Sequence, residues 1–234
     1  YNVFNSGGFT AASYAELEEH EVFPLKTHDE FDHDPMSAVL NAFSKLDKTR
    51  EGAALQFVIM PAGDMYIKRF AKVLDRVKKG EKLSEATDDL REVKQEFKSF
   101  TRALFHKQGT IDKIEEKEKD TDDRAVENIT EKIKSTIVVS NIRIVASADT
   151  DQRTKEILSN IESSFSQFTK ANSNGLVFRK VGEKNMDSFL HSFTYRLPNS
   201  ADALPLNLKE LSTLIHFPVG TTGSPELRES KAGT

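Results

Sequence analysis

A chain of 234 residues, 37% hydrophobic and 30% charged, is long enough to bury a core without disulfides or metals. It contains no Cys, which excludes thiol catalysis, Cys-ligated zinc and disulfide bridges. Lys and Arg number 33 against 37 Asp and Glu, a net charge of −4, which argues against a broadly basic nucleic-acid-binding surface.

Residues 1–34 read as an irregular segment, with a flexible turn at Asn5–Thr10. Asp34-Pro35 is a helix start, and Met36, Val39, Leu40, Phe43 and Leu46 follow at a spacing of three and four. AALQFVIMP, Ala53–Pro61, reads as a buried strand closed by Pro61 and Gly63. Asp64 opens a second helix with Ile67, Phe70, Ala71, Leu74 and Val77 on one face, and Gly80 stops it. From Glu81 to Lys134 the chain is charge-rich. Leu90, Val93, Phe97, Phe100 and Leu104 keep helical spacing there, and a short helix is expected over Asp122–Lys134.

Thr136–Ala148 is the clearest strand, with Ile142, Ile144 and Ala146 alternating against Asn141, Arg143 and Val145. A helix capped near Asp149 or Thr150 turns Ile157, Leu158, Ile161, Phe165 and Phe168 inward. Leu176–Val181 returns as a strand, and Phe189–Leu197 is expected as another, with a helix the alternative reading of so short an apolar run. Asn207 caps a final helix, and the Gly/Ser/Thr/Pro-rich stretch after Pro218 reads as a linker. Two segments, starting at Gln56 and Asn141, share a strand–turn–helix plan. The expected fold is α+β of ferredoxin-like character: a mostly antiparallel sheet, helices on one face, and a charged helical insertion at about 81–134. The expected divisions are 1–34 irregular, 35–206 α+β domain, and 207–234 exit helix and linker.

A search for chemistry finds no phosphate-binding loop, and Gly220-Thr-Thr-Gly223 lacks the lysine such a loop needs. His28, Asp29, Asp32, His33 and Asp34 are metal-ligand types, but their spacing fits no defined site, so a polar loop is the preferred reading. Arg143 lies mid-strand, placed either to face solvent, to pair with a carboxylate or to bind a ligand. Lys68, Arg69, Lys72, Arg76 and Lys79 cluster on one side of the second helix. Contact with DNA phosphates is the sharp reading, a solvated helix face the plain one. His216, Phe217 and Pro218 end the last helix, with a capping and packing role. No catalytic residue, cofactor or metal is assigned.

Three stretches resemble a known family. EHEVFPLKTHDEFDHDPMSAVLNAFSKLDKTREGAALQFVIMPA is similar to a segment in which a Phe-Pro-Ile/Leu-Lys-Thr box leads into Asp-Pro and then a strand. SNIRIVASADTDQRTKEILSNIESSFSQF is similar to its central strand–helix unit, and LNLKELSTLIHFPVGTTGSPELRESKAG to its exit. The family is the uncharacterised domain preceding the motor in HerA/FtsK-superfamily ATPases related to type IV secretion and conjugation ATPases. The resemblance covers about residues 16–80 and 125–234. It implies a non-catalytic accessory or docking domain at the cytoplasmic face of the membrane. Its implied partners are a downstream ATPase motor in the same polypeptide, further copies in a hexamer, and membrane-associated secretion components. A DNA-binding adaptor using the basic helix is the alternative.

Overall fold

The structure is a computed structural model that describes residues 7–87 and 122–216. Its sheet is built from β1 (Phe9–Leu17), β2 (Gly52–Pro61), β3 (Ile137–Ala148), β4 (Leu176–Lys180) and β5 (Leu204–Asn207). The longer helices are α1 (Met36–Ser44), α2 (Met65–Lys78), α4 (Asp122–Ile133), α5 (Asp151–Ser164) and α6 (Glu183–Thr194). Two short ones are α3 (Leu83–Ala86) and α7 (Leu208–Leu214).

The strands run in the order β2-β3-β1-β4, all neighbours antiparallel, with β5 beside the first half of β3. Read as β1-α1-β2 and β3-α5-β4, this is the ferredoxin-like arrangement, in which the two halves interlock through β1 and β3. The fold is therefore α+β, as the sequence suggests. The two halves are not the pair chosen by pattern, because α2 belongs to neither. In the simplest plan a hairpin joins β2 to β3; here residues 62–136 lie between them and carry α2, α3 and α4. The insertion thus begins about twenty residues earlier than the charge pattern marks it.

Two further expectations are corrected. Residues 9–17 are not irregular but form β1, a central strand. Its sequence FTAASYAEL includes three alanines, a residue of low strand propensity. Ala12, Ser13 and Ala15 are fully buried, so packing overrides propensity. Phe189–Leu197 is not a strand; residues 183–194 form α6. Met186, Phe189, Leu190 and Phe193 recur at helical spacing, a period hidden when the segment is read from Phe189 onward. The exit helix is capped by Asn207 as expected and packs into the domain: β5 pairs with β3, and Leu211 and Leu214 of α7 sit in the main core.

Helices also cover both faces of the sheet, not one. Ile142, Ile144, Ala146 and Ala148 of β3 pack against α1 and α5 in the main core. The alternate residues face the other way: Ile137 and Val139 against α2 and α4, Val145 against α6. Eleven of the twelve β3 residues are buried, and a strand covered on both sides reads as a near-continuous apolar run.

Candidate functional site

The basic face of α2 exists, but it is largely occupied. Tyr66, Phe70, Val73, Leu74 and Val77 turn inward and the cations turn out. Lys68 Nζ lies 3.7 Å from Asp64, and Lys79 Nζ lies 2.6 Å from Asp75. Arg76 donates to both oxygens of Glu81, with Nε to Oε2 at 2.7 Å, and to the carbonyl of Ala86 at 3.2 Å. Hydrogen bonding from Arg76 holds the Glu81 carboxyl below its usual range. Arg69 is half-buried near Tyr66, and Lys72 is exposed. Three of the five predicted cations are thus paired within their own helix or its exit turn.

The exit helix is fixed by a buried polar clamp. Asn207 and Glu210 form a reciprocal capping box: Asn207 Oδ1 accepts from the Glu210 N–H at 2.8 Å, and Glu210 Oε2 from the Asn207 N–H at 2.6 Å. Glu210 also accepts the Leu25 N–H at 2.7 Å and two contacts from Lys132 Nζ at 2.8 Å. Both charged side chains are fully buried. Asn207 Nδ2 donates to the Lys132 carbonyl at 3.2 Å, and the His28 N–H donates to Thr213 Oγ1 at 2.9 Å. The strap at residues 23–28, the insertion and the exit helix therefore meet at one carboxylate. His216 follows α7 and is exposed; Phe217 and Pro218 lie outside the described residues.

A second buried polar group lies on the α6 side of the sheet. Arg143 is 1% exposed and donates from Nη1 to the Leu197 carbonyl at 2.8 Å. Its nearest carboxylate, Asp202 Oδ2, is 3.9 Å from Nε. Asn141 ties down the connection between α6 and β5. It donates to the carbonyls of Asn199 at 2.7 Å and Asp202 at 2.9 Å, and accepts the Asn199 N–H at 2.9 Å. Burial pushes the Asp202 carboxyl up to about 6, against the opposing pull of Arg143. The solvent-facing and ligand-binding readings of Arg143 give way to a structural one: it is a carboxylate-paired latch.

In the polar loop at 28–34, Asp29 and Asp34 make structural contacts. Asp34 Oδ1 accepts the Met36 N–H at 2.9 Å, capping α1, while Asp29 pairs with His28 at 2.8 Å and with Lys209. Among the described residues no group of three or more such side chains is placed to hold a metal. An open depression of about 280 Å³ lies between the α1–β2 turn and the start of α5. Its charges satisfy one another: Arg153 binds Glu51 at 2.6 and 3.1 Å, and Arg50 approaches Asp149 at 3.9 Å.

A family model described as a domain of unknown function, DUF8128, matches residues 3–229. The chain belongs to this family. No curated protein and no solved structure matches it.

The match spans the residues of the clamp and the latch, so both lie inside the DUF8128 unit. The sequence pattern shows neither the clamp nor the role of Asp202, although a carboxylate partner for Arg143 is among its readings. Lys132 and Glu210 sit on amphipathic helices, where a lone charge is ordinarily solvated. Only the Asn207-x-x-Glu210 capping-box spacing pointed to Glu210. Nothing about Asp202, in a short loop, pointed to burial. No helix among the described residues is long and apolar enough to cross a membrane.

Proposed function

We propose that this DUF8128 chain is a non-catalytic docking domain of a translocating ATPase related to secretion and conjugation systems. It would work at the cytoplasmic membrane face, with a hexameric motor in the same polypeptide and membrane-associated secretion components as partners. The observation that supports this reading is the clamp. Two of the three stretches carrying the family resemblance converge on it: Leu25 and His28 of the Phe-Pro-Leu-Lys-Thr-His strap hydrogen-bond to Glu210 and Thr213 of the exit helix. A helix fastened this firmly suits a rigid link, because force or rotation applied to it reaches the whole sheet rather than dissipating in a hinge.

The experiment is to compare this chain with a polypeptide extended past Thr234. Ring assembly and ATP hydrolysis by the extended form, with none by this chain, is the expected result. Hydrolysis by this chain alone, or an extension without a nucleotide-binding loop, sinks the proposal. DNA binding through α2 is the second reading. Residues 64–81 still carry six cations against three carboxylates, although three of the cations are paired. It requires salt-sensitive binding that disappears when Lys72, Arg76 and Lys79 are reversed in charge.

A further inference from the structure

Among the described residues β2 and β4 bound the main run of the sheet, and these two edges are protected unequally. β4 is five residues long and ends in Arg179-Lys180, the usual charged guard of an edge strand. β2 is ten residues long, GAALQFVIMP, and contains no charge. β3 holds one side of it. Among the described residues no other backbone group hydrogen-bonds to residues 53–60. Leu55, Phe57 and Ile59 share one face of the strand; the first two are half-buried and Ile59 is 46% exposed.

We propose that β2 is a self-association surface, through which two copies of this chain pair antiparallel about a two-fold axis and join their sheets. An axis perpendicular to the sheet keeps equivalent faces together, so residues of the same parity oppose each other. Centred on Phe57, the pairing sets Leu55 against Ile59 of the second copy, and Ile59 against its Leu55. The exposed isoleucine is then covered twice over in each dimer. The adjacent register, centred on Gln56, offers Ile59 only an alanine, Ala53.

The Phe57-centred register also brings Arg50, at the head of one β2, toward Asp64, at the tail of the other. Both are exposed, and their present partners are long contacts of 3.9 Å to Asp149 and 3.7 Å to Lys68. Two-fold symmetry makes this complementary pair twice. A second copy is favoured as occupant because apolar stripe and flanking charges are both self-complementary. The proposal does not depend on the docking reading: edge pairing holds or fails whether or not a motor is attached.

Sedimentation equilibrium over a wide concentration range tests it, with hydrogen exchange on residues 53–60 at low and high concentration. Concentration-dependent doubling of mass, with rising protection of those amides, is expected. Ile59→Lys should weaken the dimer at least about ten-fold. Asp64→Arg should weaken it a few-fold, and Arg50→Asp combined with Asp64→Arg should restore it. A monomer at every concentration overturns the proposal. So does a dimer whose affinity and amide protection ignore these substitutions. If Ile59→Lys does not fold, the charge swap still decides, because both its positions are exposed.

Discussion

Among the described residues two ion pairs are buried, and they are built to different standards. Glu210 receives Lys132 on both oxygens together with two backbone N–H groups, all between 2.6 and 2.8 Å. Asp202 stands 3.9 Å from Arg143, and Oδ1 of Asp202 and Nε of Arg143 have no hydrogen-bond partner. Burying a charge is repaid only when the geometry is good and the remaining lone pairs are filled. By that rule the clamp is fully compensated and the latch is not. Asp202 follows the same rule, since burial outweighs the attraction of Arg143 and pushes its carboxyl pKa up. Both arrangements join distant segments. The clamp ties the strap and the insertion to α7, while the latch holds the connection between α6 and β5. The first is a fixed joint; the second carries a residual electrostatic penalty at neutral pH.

The largest effect should come from breaking the better pair. Glu210→Ala strands the Lys132 ammonium in the core with two unpaired N–H donors, and should cost about 3–5 kcal/mol in urea unfolding. A loss under about 1 kcal/mol would show that the clamp is not compensated as described.

Next comes Asp202. Its folded-state pKa of about 6 lies above the ordinary 3.8, so the stability it contributes is complete below about pH 4 and is lost as pH rises through 6. That is about 3 kcal/mol at most, at 1.36 kcal/mol per unit. Asp202→Asn should therefore gain about 1–3 kcal/mol at pH 7, gain nothing near pH 4, and flatten the stability profile between them. Melting curves from pH 4 to 7 check it; destabilisation at pH 7 would mean the Arg143 attraction wins after all.

Asn207→Ala removes the cap but leaves the ion pair, and should cost about 1 kcal/mol by the same urea assay, well below Glu210→Ala. Smallest is Arg153→Ala. It breaks a bidentate contact with Glu51 at the rim of the open depression, and should shift stability by less than about 1 kcal/mol, less again at high salt. A larger, salt-independent loss would place that surface pair alongside the buried ones.

What could be read in advance follows the same division. Helices with one apolar stripe, α1, α2, α4 and α5, were legible because burial on one side leaves a 3.6-residue period. β3 was legible as a long apolar run with Asn141 and Arg143 inside it, but not that helices cover both its faces. β1 was hidden by its alanines and β5 by Pro205, since each depends on neighbours supplied from far away in the chain. The basic cluster on α2 was legible as residues and illegible as charge. Asp64, Asp75 and Glu81, which pair with it, are visible in the sequence, but only the folded helix shows which cations they reach. Both buried ion pairs join residues at least 59 positions apart, beyond any local pattern.

The interruption between β2 and β3 governs how the chain must fold. In a plain ferredoxin-like protein these strands meet through a hairpin, which supplies a local nucleus. Here Pro61 pairs with Val138 across the whole insertion, and Phe9 must find Ala148 from far earlier in the chain. Every partner of β3 is distant in sequence, so loop-closure entropy is lost before any strand pairing compensates for it. Refolding should be slow for a domain of this size, and β3 should stay unpaired until the insertion has collapsed and drawn its ends together.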